Sequence, residues 1–252
     1  RLVVSLLAVV GAAALPAAAQ TVLNVNTALT TDDPMYAGLE RMKANVEKRS
    51  AGKLQIRIFP GSQLGKDEDV LEQARAGANV AVLVDGGRLA PFVKEFGIMG
   101  APYLVDNFDQ VLRLQQSALF KGWVEKLRGA ANLQVLSFDW FQGHRHMLTN
   151  SPVKVPADLK GVRVRTPGAP VWLETVRAMG ATPTGMPWSE VYSALQTKVI
   201  DGAEAQHPAV YGARLYEVVK IITKTEHIYL ITGIVTSRVW FDKLPADLKA
   251  QV

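Results

Sequence analysis

Cysteine is absent from this chain of 252 residues. A disulfide framework and a cysteine-ligated zinc site are therefore both excluded. The motifs of common enzymes are missing as well: there is no G-x-S-x-G nucleophile elbow, no P-loop and no G-x-G-x-x-G after a strand. Paired carboxylates at short spacing, which would suggest a hydrolase, are also lacking. The sequence therefore predicts a protein that is not an enzyme.

Charge of one sign is not concentrated anywhere in the chain. Lys and Arg number 28 against 23 Asp and Glu, a formal net charge of +5, but no run of basic residues is interleaved with aromatics. Such a run would mark a nucleic-acid-binding face, so we expect no nucleic-acid partner. Hydrophobic residues make up 48% and charged residues 20%. These fractions are typical of a folded protein and exclude a disordered or collagen-like chain.

Long apolar runs are confined to the N-terminus. Residues 2–14 form an apolar stretch after Arg1, and small residues follow at 17–19. This arrangement predicts a secretory signal that is cleaved after Ala19. The alternative is a membrane anchor, but the run is shorter than the about 20 residues that a spanning helix needs. A secreted chain without cysteine suits the bacterial periplasm.

Strand and helix patterns alternate through the first half of the chain. Residues 21–26 and 54–58 read as strands because apolar and polar side chains alternate. The dipeptide Asp33-Pro34 opens a helix with a side-chain cap and a proline in the first turn. A second helix is predicted over 67–76, and the continuous apolar run 80–84 is typical of a buried parallel strand. The alternation predicts an α/β fold with a mostly parallel sheet.

A second unit of the same kind follows the polar stretch 148–152. Before that stretch the pattern predicts a long helix over 106–128 and a strand over 133–138. After it come strands over 162–165, 199–204 and 228–235 and helices over 169–179, 189–197 and 211–223. Two α/β units predict two lobes with a cleft between them. We assign 1–19 to the signal, 20–142 to lobe 1, 143–230 to lobe 2, and 231–252 to a truncated return to lobe 1.

His144 and His146 raise the question of a metal site. Such a site needs three or four convergent ligands, and the sequence suggests no third ligand nearby. We therefore predict neither a metal nor a cofactor, and we interpret these two rings as capping or hydrogen-bonding groups. His207 and His227 are isolated, which favours a structural role over a catalytic base.

Arginines at a strand end carry the strongest local signal for a ligand. Arg163 and Arg165 are two residues apart and so share one face of a strand, and Arg165 is followed by the turn Thr166-Pro167. Ligands of open α/β sheets lie beyond the carboxyl ends of strands, where a guanidinium can clamp a carboxylate with two hydrogen bonds. Arg165 is a candidate for that contact, with a solvated surface position as the alternative. For Arg163 we prefer the surface position.

Several segments, in their order along the chain, carry a resemblance to one family. They are SAGKL at 50–54, FPGSQLG at 59–65, APY at 101–103, LKGVRVRTP at 159–167, GATPT at 180–184, PWSEVYSALQ at 187–196 and VIDGAE at 199–204. Over residues 21–252 the chain resembles the solute-binding proteins of tripartite ATP-independent periplasmic (TRAP) transporters, of the dicarboxylate and sialic-acid type. The resemblance implies a two-lobed periplasmic-binding-protein fold. Such a protein closes over one organic acid and delivers it to a membrane permease.

The resemblance also implies which residues face the ligand. Arg165 matches the family's principal carboxylate-binding arginine, and Arg145 matches a second arginine of the cleft. Trp188 matches an aromatic position that packs on the solute, with a place in the lobe core as the alternative. Polar rim positions, a cleft loop and a hinge histidine are matched by Asp67, Asp85, Arg88, Thr27, Ala28 and His227.

Two positions depart from the family pattern. Many members have asparagine where this chain has Ala205, so that contact is absent or is supplied by Gln206 or His207. Some sugar-acid binders have asparagine at the position of Ala28. Because a site rejects polar groups that it leaves unpaired, we expect a small carboxylate with an apolar or aromatic part. A polyhydroxylated acid such as sialic acid is disfavoured by the same reasoning.

The leading hypothesis is a periplasmic, monomeric binding protein that captures an organic acid for a TRAP permease. The alternative is a sensor module that presents the same acid to a membrane receptor. Permease genes or a histidine kinase gene beside its own gene would discriminate between the two. A periplasmic enzyme is the third class, and the sequence lacks identifiable catalytic groups for it.

Overall fold

The computed structural model describes residues 20–252, and the predicted signal at 1–19 lies outside the described residues. The strands are β1 (Thr21–Asn26), β2 (Leu54–Phe59), β3 (Val80–Asp85), β4 (Leu133–Thr149), β5 (Arg163–Thr166), β6 (Thr182–Gly185), β7 (Gly202–Gln206) and β8 (Ile221–Ser237). The helices are α1 (Pro34–Arg49), α2 (Asp67–Arg75), α3 (Gly86–Leu89), α4 (Phe108–Gln116), α5 (Ala118–Ala131), α6 (Pro170–Ala178), α7 (Val191–Gln196), α8 (His207–Gly212), α9 (Arg238–Lys243) and α10 (Ala246–Lys249). Short 3-10 turns occupy Lys94–Gly100, Pro156–Leu159, Trp188–Glu190 and Leu215–Glu217. Within the described range, no helix combines the length and apolar character that crossing a membrane requires.

The strands of the described range form one eight-stranded sheet with the order β2-β1-β3-β8-β4-β7-β5-β6. The pairs toward its two ends, β1–β2, β1–β3, β5–β6 and β5–β7, are parallel. The central pairs, β3–β8, β4–β8 and β4–β7, are antiparallel. The predicted α/β class is confirmed, and the parallel pairing expected from the alternation holds at both ends of the sheet but not at its centre.

Two long strands join the halves of the sheet. Strands β4 and β8 each contain 17 residues and pair with each other in antiparallel fashion. The C-terminal half of β8 also pairs with β3, and the C-terminal half of β4 pairs with β7. Because the two strands run in opposite directions, these outer pairings lie at opposite ends of the ladder. We call the elements around β1–β3 lobe 1 and those around β5–β7 lobe 2.

The ladder between β4 and β8 is irregular where it passes from one lobe to the other. One register shift lies between Phe141 and Gly143, and Gly143 has a φ of +117°, which glycine adopts without steric strain. Bulges of this kind bend a strand and increase its twist. A bend is therefore built into β4 between the lobes.

Lobe 1 has a hydrophobic core on each face of its sheet, and strand β3 shows why. All six of its residues are buried. Val82 and Val84 belong to the cluster that α2 and α5 cover, whereas Ala81 and Leu83 belong to the cluster under α1. The period of two along a strand sends alternate side chains to opposite faces. A strand covered on both faces therefore reads as a continuous apolar run.

Two of the predicted elements have different lengths in the structure. The helix expected over 106–128 is two helices, because Ser117 ends α4 and caps α5 with its side chain. The strand expected over 133–138 continues to Thr149, because it finds β8 along one edge and β7 along the other. Both differences arise where a local pattern carries no information about its partner.

The helix expected over 211–223 is wrong. Helix α8 stops at Gly212, Arg214 takes a left-handed φ of +55°, and β8 begins at Ile221. The residues after Ile221 pair with the far end of β4. Strand pairing with a distant segment thus overrides the local helical pattern.

Candidate ligand-binding cleft

A small cavity of ≈ 50 Å³ lies between the lobes, beyond the carboxyl ends of β1, β3 and β5. The loops of an open α/β sheet converge on this edge, which is where such folds bind ligands. Lobe 1 contributes the loop after β1 and the starts of α2 and α3. Lobe 2 contributes the ends of β5 and β7 and the turn before α7. Nine of the residues that the sequence indicated line the cavity, namely Thr27, Ala28, Asp67, Asp85, Arg88, Arg145, Arg165, Trp188 and Gln206.

Arg165 is a buried guanidinium, only 1% exposed. Its Nε and Nη2 donate to the main-chain oxygen of Met186 at 2.9 and 2.7 Å, and the group lies 5.3 Å from the ring centroid of Trp188. Among residues 20–252 no carboxylate forms an ion pair with it. Burial, reinforced by the neighbouring Arg145, lowers the pKa of Arg165 to about 9, so it is a cation at neutral pH without a counter-ion.

Arg145, the second arginine of the cleft, already has a carboxylate partner. Its Nη2 lies 2.6 Å from Oε1 of Glu204, its Nε bonds the other carboxylate oxygen, and its Nη1 donates to Gln206 at 3.1 Å. Its Nη2 also donates to the main-chain oxygen of Glu204 at 2.6 Å. Four of its five N–H donors are thereby used. Arg145 therefore differs from Arg165, whose charge is left over.

Glu204 was not predicted as a site residue, yet it is the centre of the buried network in lobe 2. Thr166 donates a hydrogen bond to Oε1 at 2.7 Å, and Nε2 of His227 lies 3.4 Å from Oε2. Burial opposes ionisation, but Arg145 and the hydrogen bonds outweigh it and lower the pKa of Glu204 to about 2. His227 is fully buried behind this carboxylate and outside the cavity lining.

Strand β7 sends neighbouring residues to opposite faces. Glu204 and Gln206 both contact Arg145, whereas Ala205 packs in a hydrophobic cluster with Leu148. Ala205, at the family's asparagine position, thus lies outside this cavity lining, because the period of two turns its side chain away. The asparagine missing at this position removes no group from the cavity lining.

His207 also lies outside the cavity lining. It is exposed at the start of α8, with its ring centroid 4.4 Å from that of His146. Burial, assisted by His207, lowers the pKa of His146 to about 4, so the His146 ring is neutral at pH 7. His207 is therefore exposed whereas His146 is buried, and neither lines the cleft.

The lobe 1 face of the cavity has one guanidinium among several carboxylates. Asp85 caps α3 by accepting from the backbone N–H of Arg88 at 3.2 Å, and its other oxygen pairs with the Arg88 side chain. Nε of Arg88 lies 3.5 Å from Oδ2 of Asp67 and 3.1 Å from Oε1 of Glu68. Burial outweighs the attraction of Arg88 and raises the pKa of Asp67 to about 6. This face therefore carries carboxylate oxygens in excess.

Neutral hydrogen-bonding groups complete the lining. Gln142, which the sequence did not indicate, accepts from the Gln206 amide at 2.9 Å, so its own amide N–H₂ remains for a ligand. The Thr27 hydroxyl accepts from the backbone N–H of Leu29 at 3.2 Å and keeps its proton to donate. The signal that could have found Gln142 is its place one residue before the strand irregularity at Gly143.

A larger groove of ≈ 630 Å³ lies on lobe 1 between α1 and β4. Its lining is mainly apolar and includes Met35, Met42, Leu136 and Trp140. The cleft is the better candidate because it gathers buried charged groups from both lobes, including a guanidinium without a counter-ion. Convergent, perturbed polar groups of this kind mark binding sites.

Comparison with known proteins agrees with this geometry. Residues 25–252 match the family model described as DctP, bacterial extracellular solute-binding protein, family 7. The C4-dicarboxylate-binding periplasmic protein DctP of Vibrio cholerae is 34% identical over 225 residues, which are 88% of this chain and 66% of that protein. The chain thus spans slightly less than two thirds of this relative's length.

Two TRAP periplasmic solute-binding proteins of known structure are also similar. The apo open structure from Escherichia fergusonii has 48% sequence identity and a TM-score of 0.77. The structure from Ochrobacterium anthropi with bound L-fuconate has 31% identity and a TM-score of 0.90. Each match covers 92% of this chain and 77% of the other chain. The TM-score is higher for the ligand-bound structure than for the open one. Matching over most of its length, the chain belongs to bacterial extracellular solute-binding protein family 7, the family of TRAP-transporter solute-binding proteins.

Proposed function

We propose that this protein captures a hydroxylated monocarboxylic acid in the periplasm and delivers it, chemically unchanged, to a TRAP membrane permease. The observation that carries the proposal is the buried guanidinium of Arg165, which has no counter-ion among the described residues. A buried charge without a partner is costly, and a ligand carboxylate would supply the partner.

The geometry of Arg165 suits a carboxylate. The carbonyl of Met186 uses Nε and one donor of Nη2. The edge between Nη1 and Nη2 therefore keeps a donor on each nitrogen, which matches the two oxygens of a carboxylate. The ring of Trp188 covers one face of the guanidinium and helps to keep water away from the pair.

The lobe 1 face favours hydroxyl groups at the other end of the solute. Asp67 and Asp85 outnumber the single Arg88 between them, so a second carboxylate would be repelled. Hydroxyl groups can donate to these carboxylates and accept from the Gln142 amide. We therefore propose a hydroxylated carboxylate in place of the expected small carboxylate with an apolar or aromatic part. L-fuconate, bound in the Ochrobacterium anthropi structure, has this chemistry, whereas a C4-dicarboxylate has a second carboxylate.

Location and assembly rest on the sequence and the family. The predicted signal and the family support the periplasm. We propose a monomer, because one chain provides both faces of the cleft. We also keep the predicted lobes, 20–142, 143–230 and 231–252, as a proposal. It is supported by the pairing of Gly143 with Leu230, where β4 and β8 pass between the lobes.

Calorimetry on the full-length secreted protein tests the proposal. The panel is L-fuconate, D-glucuronate, succinate and pyruvate, with thermal unfolding as a second readout. We expect one of the two hydroxylated acids to bind most tightly, and a ligand at 100 times its Kd stabilises the fold by about 2.7 kcal/mol. Tightest binding of succinate would contradict the role given to lobe 1. An absence of binding by all four acids would contradict the capture of an organic acid.

A further inference from the structure

A tryptophan of lobe 2 is buried against lobe 1 near the cleft. Trp172 lies on α6 and is 1% exposed. Its indole contacts α3 and the end of the turn Lys94–Gly100, both of which belong to lobe 1. Within residues 20–252 its Nε1 has no hydrogen-bond partner. The contact is therefore one of packing between the lobes.

Two glycines of lobe 1 provide the room for this indole. A Cβ at Gly87 would lie 2.0 Å from Nε1 and 2.6 Å from Cδ1 of Trp172. A Cβ at Gly100 would lie 3.3 Å from Cε2 of Trp172 and 3.1 Å from Cγ1 of Val171. Neither glycine has a left-handed φ. Where they face Trp172 and Val171, these positions thus require a small residue, and that requirement exists only when the lobes are in contact.

The same indole also contacts Arg145, which belongs to the buried network around Glu204. The guanidinium of Arg145 lies 4.6 Å from the Trp172 ring centroid, within the range of a cation–π contact. Helix α3, on which the indole rests, carries Arg88 and is capped by Asp85. Seating Trp172 on Gly87 therefore brings the lobe 1 face of the cavity against the arginine network of lobe 2.

We propose that Trp172 is a positioning residue for closure, and that Gly87 and Gly100 form the seat that lets its indole hold the two lobes together over the solute. The inference rests on the proposed function, since closure is what retains a captured acid. A Cβ at Gly87 blocks the closed state without occupying the cavity. The separated lobes do not contain the clash with Trp172, so the open state keeps its fold.

The absence of cysteine allows a direct measurement of closure. Dyes on Ala76→Cys and Gln196→Cys, one exposed position on each lobe, report the distance between lobes by single-molecule energy transfer, with and without saturating L-fuconate. We expect Gly87→Ala to lower the ratio of closed to open molecules at least tenfold and to weaken L-fuconate binding correspondingly. Gly100→Ala, with its longer contacts, should act in the same direction and less strongly. Gly122→Ala on α5, where a Cβ meets open space, is the matched control.

A second substitution separates the contact of Trp172 with Gly87 and Gly100, which we call the latch, from a local effect on Asp85. A Cβ at Gly87 would also lie 2.9 Å from Oδ1 of Asp85, so the single variant could act through that carboxylate. Trp172→Leu in the Gly87→Ala background removes the interlobe clash and leaves the Asp85 contact. We expect Gly87→Ala to lower the proportion of closed molecules less in the Trp172→Leu background than in the wild type.

Three outcomes overturn the latch. Unchanged closure in Gly87→Ala overturns the latch alone, because the wild type still closes on L-fuconate. An effect of Gly87→Ala on closure that is as large in the Trp172→Leu background as in the wild type assigns the effect to Asp85 and overturns the proposal as well. A wild-type protein that stays open under both conditions overturns the latch together with the proposed closure over an acid.

Discussion

The two faces of the cleft carry inverted arrangements of charge. On lobe 1, two aspartates flank the single guanidinium of Arg88. On lobe 2, Arg145 and Arg165 lie beside the single carboxylate of Glu204. Lobe 1 therefore has acceptor oxygens left over, and lobe 2 has a cation left over. A solute with one anionic end and one hydroxylated end complements both faces.

The different surroundings on the two faces shift the pKa values of two buried carboxyl groups in opposite directions. Burial raises the pKa of Asp67 from 3.8 to about 6 despite the nearby Arg88. Burial also opposes ionisation of Glu204, but Arg145 and the hydrogen bonds lower its pKa from 4.5 to about 2. Similar burial gives opposite results because Arg145 bonds both oxygens of Glu204, whereas Asp67 shares Arg88 with other carboxylates at a longer distance.

Removing the Glu204 charge should cause the largest loss of stability. Glu204→Gln leaves Arg145 buried without its carboxylate, and breaking a buried pair from one side costs about 3–5 kcal/mol. We expect the free energy of unfolding in urea at pH 7 to fall by that amount. Glu174→Gln is the matched control, because its pair with Arg177 is exposed and exposed pairs contribute little. Equal effects of the two substitutions would contradict the buried network.

The pH dependence of that loss has a defined sign. The pKa of Glu204 is lower in the folded protein, about 2 against 4.5, so its stabilising contribution is present above pH 4.5 and is lost as the pH falls toward 2. The difference in unfolding free energy between wild type and Glu204→Gln should shrink over this window. A difference that does not change with pH would assign the loss to packing.

Asp67→Asn tests the lobe 1 face, and we expect it to raise the free energy of unfolding, whereas Glu204→Gln lowers it. The raised pKa means that the folded protein holds a proton that the unfolded chain releases between pH 3.8 and about 6. Wild-type stability therefore falls, relative to the variant, as the pH rises through this window. The difference between the two pKa values corresponds to at most about 3 kcal/mol. We expect the free energy of unfolding of ligand-free Asp67→Asn to exceed that of the wild type by up to this amount above pH 6. Asp69→Asn, at an exposed position on the same helix, is the control. If the wild type becomes more stable relative to Asp67→Asn as the pH rises, the account is contradicted.

The salt bridge across the rim should matter least. Nζ of Lys66 on lobe 1 lies 3.1 Å from Oε1 of Glu190 on lobe 2, and both side chains are about half exposed. Exposed pairs contribute little and are screened by salt. Lys66→Gln should weaken L-fuconate binding less than about threefold at low salt, and the difference should disappear at about 1 M salt. A tenfold loss would show that the rim, rather than the buried faces, holds the lobes together.

Local sequence patterns predict the parts of this site that depend on one strand. Arg165 was found because it precedes a turn at the end of a strand, and this is where ligands of α/β sheets bind. The buried run of β3 was found because apolar residues on both faces leave a continuous signal. Both inferences need only the residues of one element.

The features of the site that the sequence did not predict depend on which strands and helices are in contact in the fold. Glu204 looks like any carboxylate in a strand until β4 brings Arg145, 59 residues earlier, beside it. The role of Trp172 depends on glycines of the other lobe, and the start of β8 depends on its pairing with β4. The surroundings of Ala205 depend on the face of β7 that it occupies, and a family position alone does not give that face.

The central claim is that the charge left over on Arg165 binds the carboxylate of the solute. Calorimetry of wild type and Arg165→Ala, each with L-fuconate and with the neutral alcohol L-fucitol, tests it directly, and Arg163→Ala, whose exposed side chain pairs with Asp201, is the control. The wild type should prefer the acid more than about a hundredfold. Arg165→Ala should lose about 3–5 kcal/mol of acid binding and with it the preference, and Arg165→Lys should also bind poorly because an ammonium cannot form the two-donor fork. An Arg165→Ala protein that binds L-fuconate within tenfold of the wild type, or that still prefers the acid to the alcohol, would contradict the account.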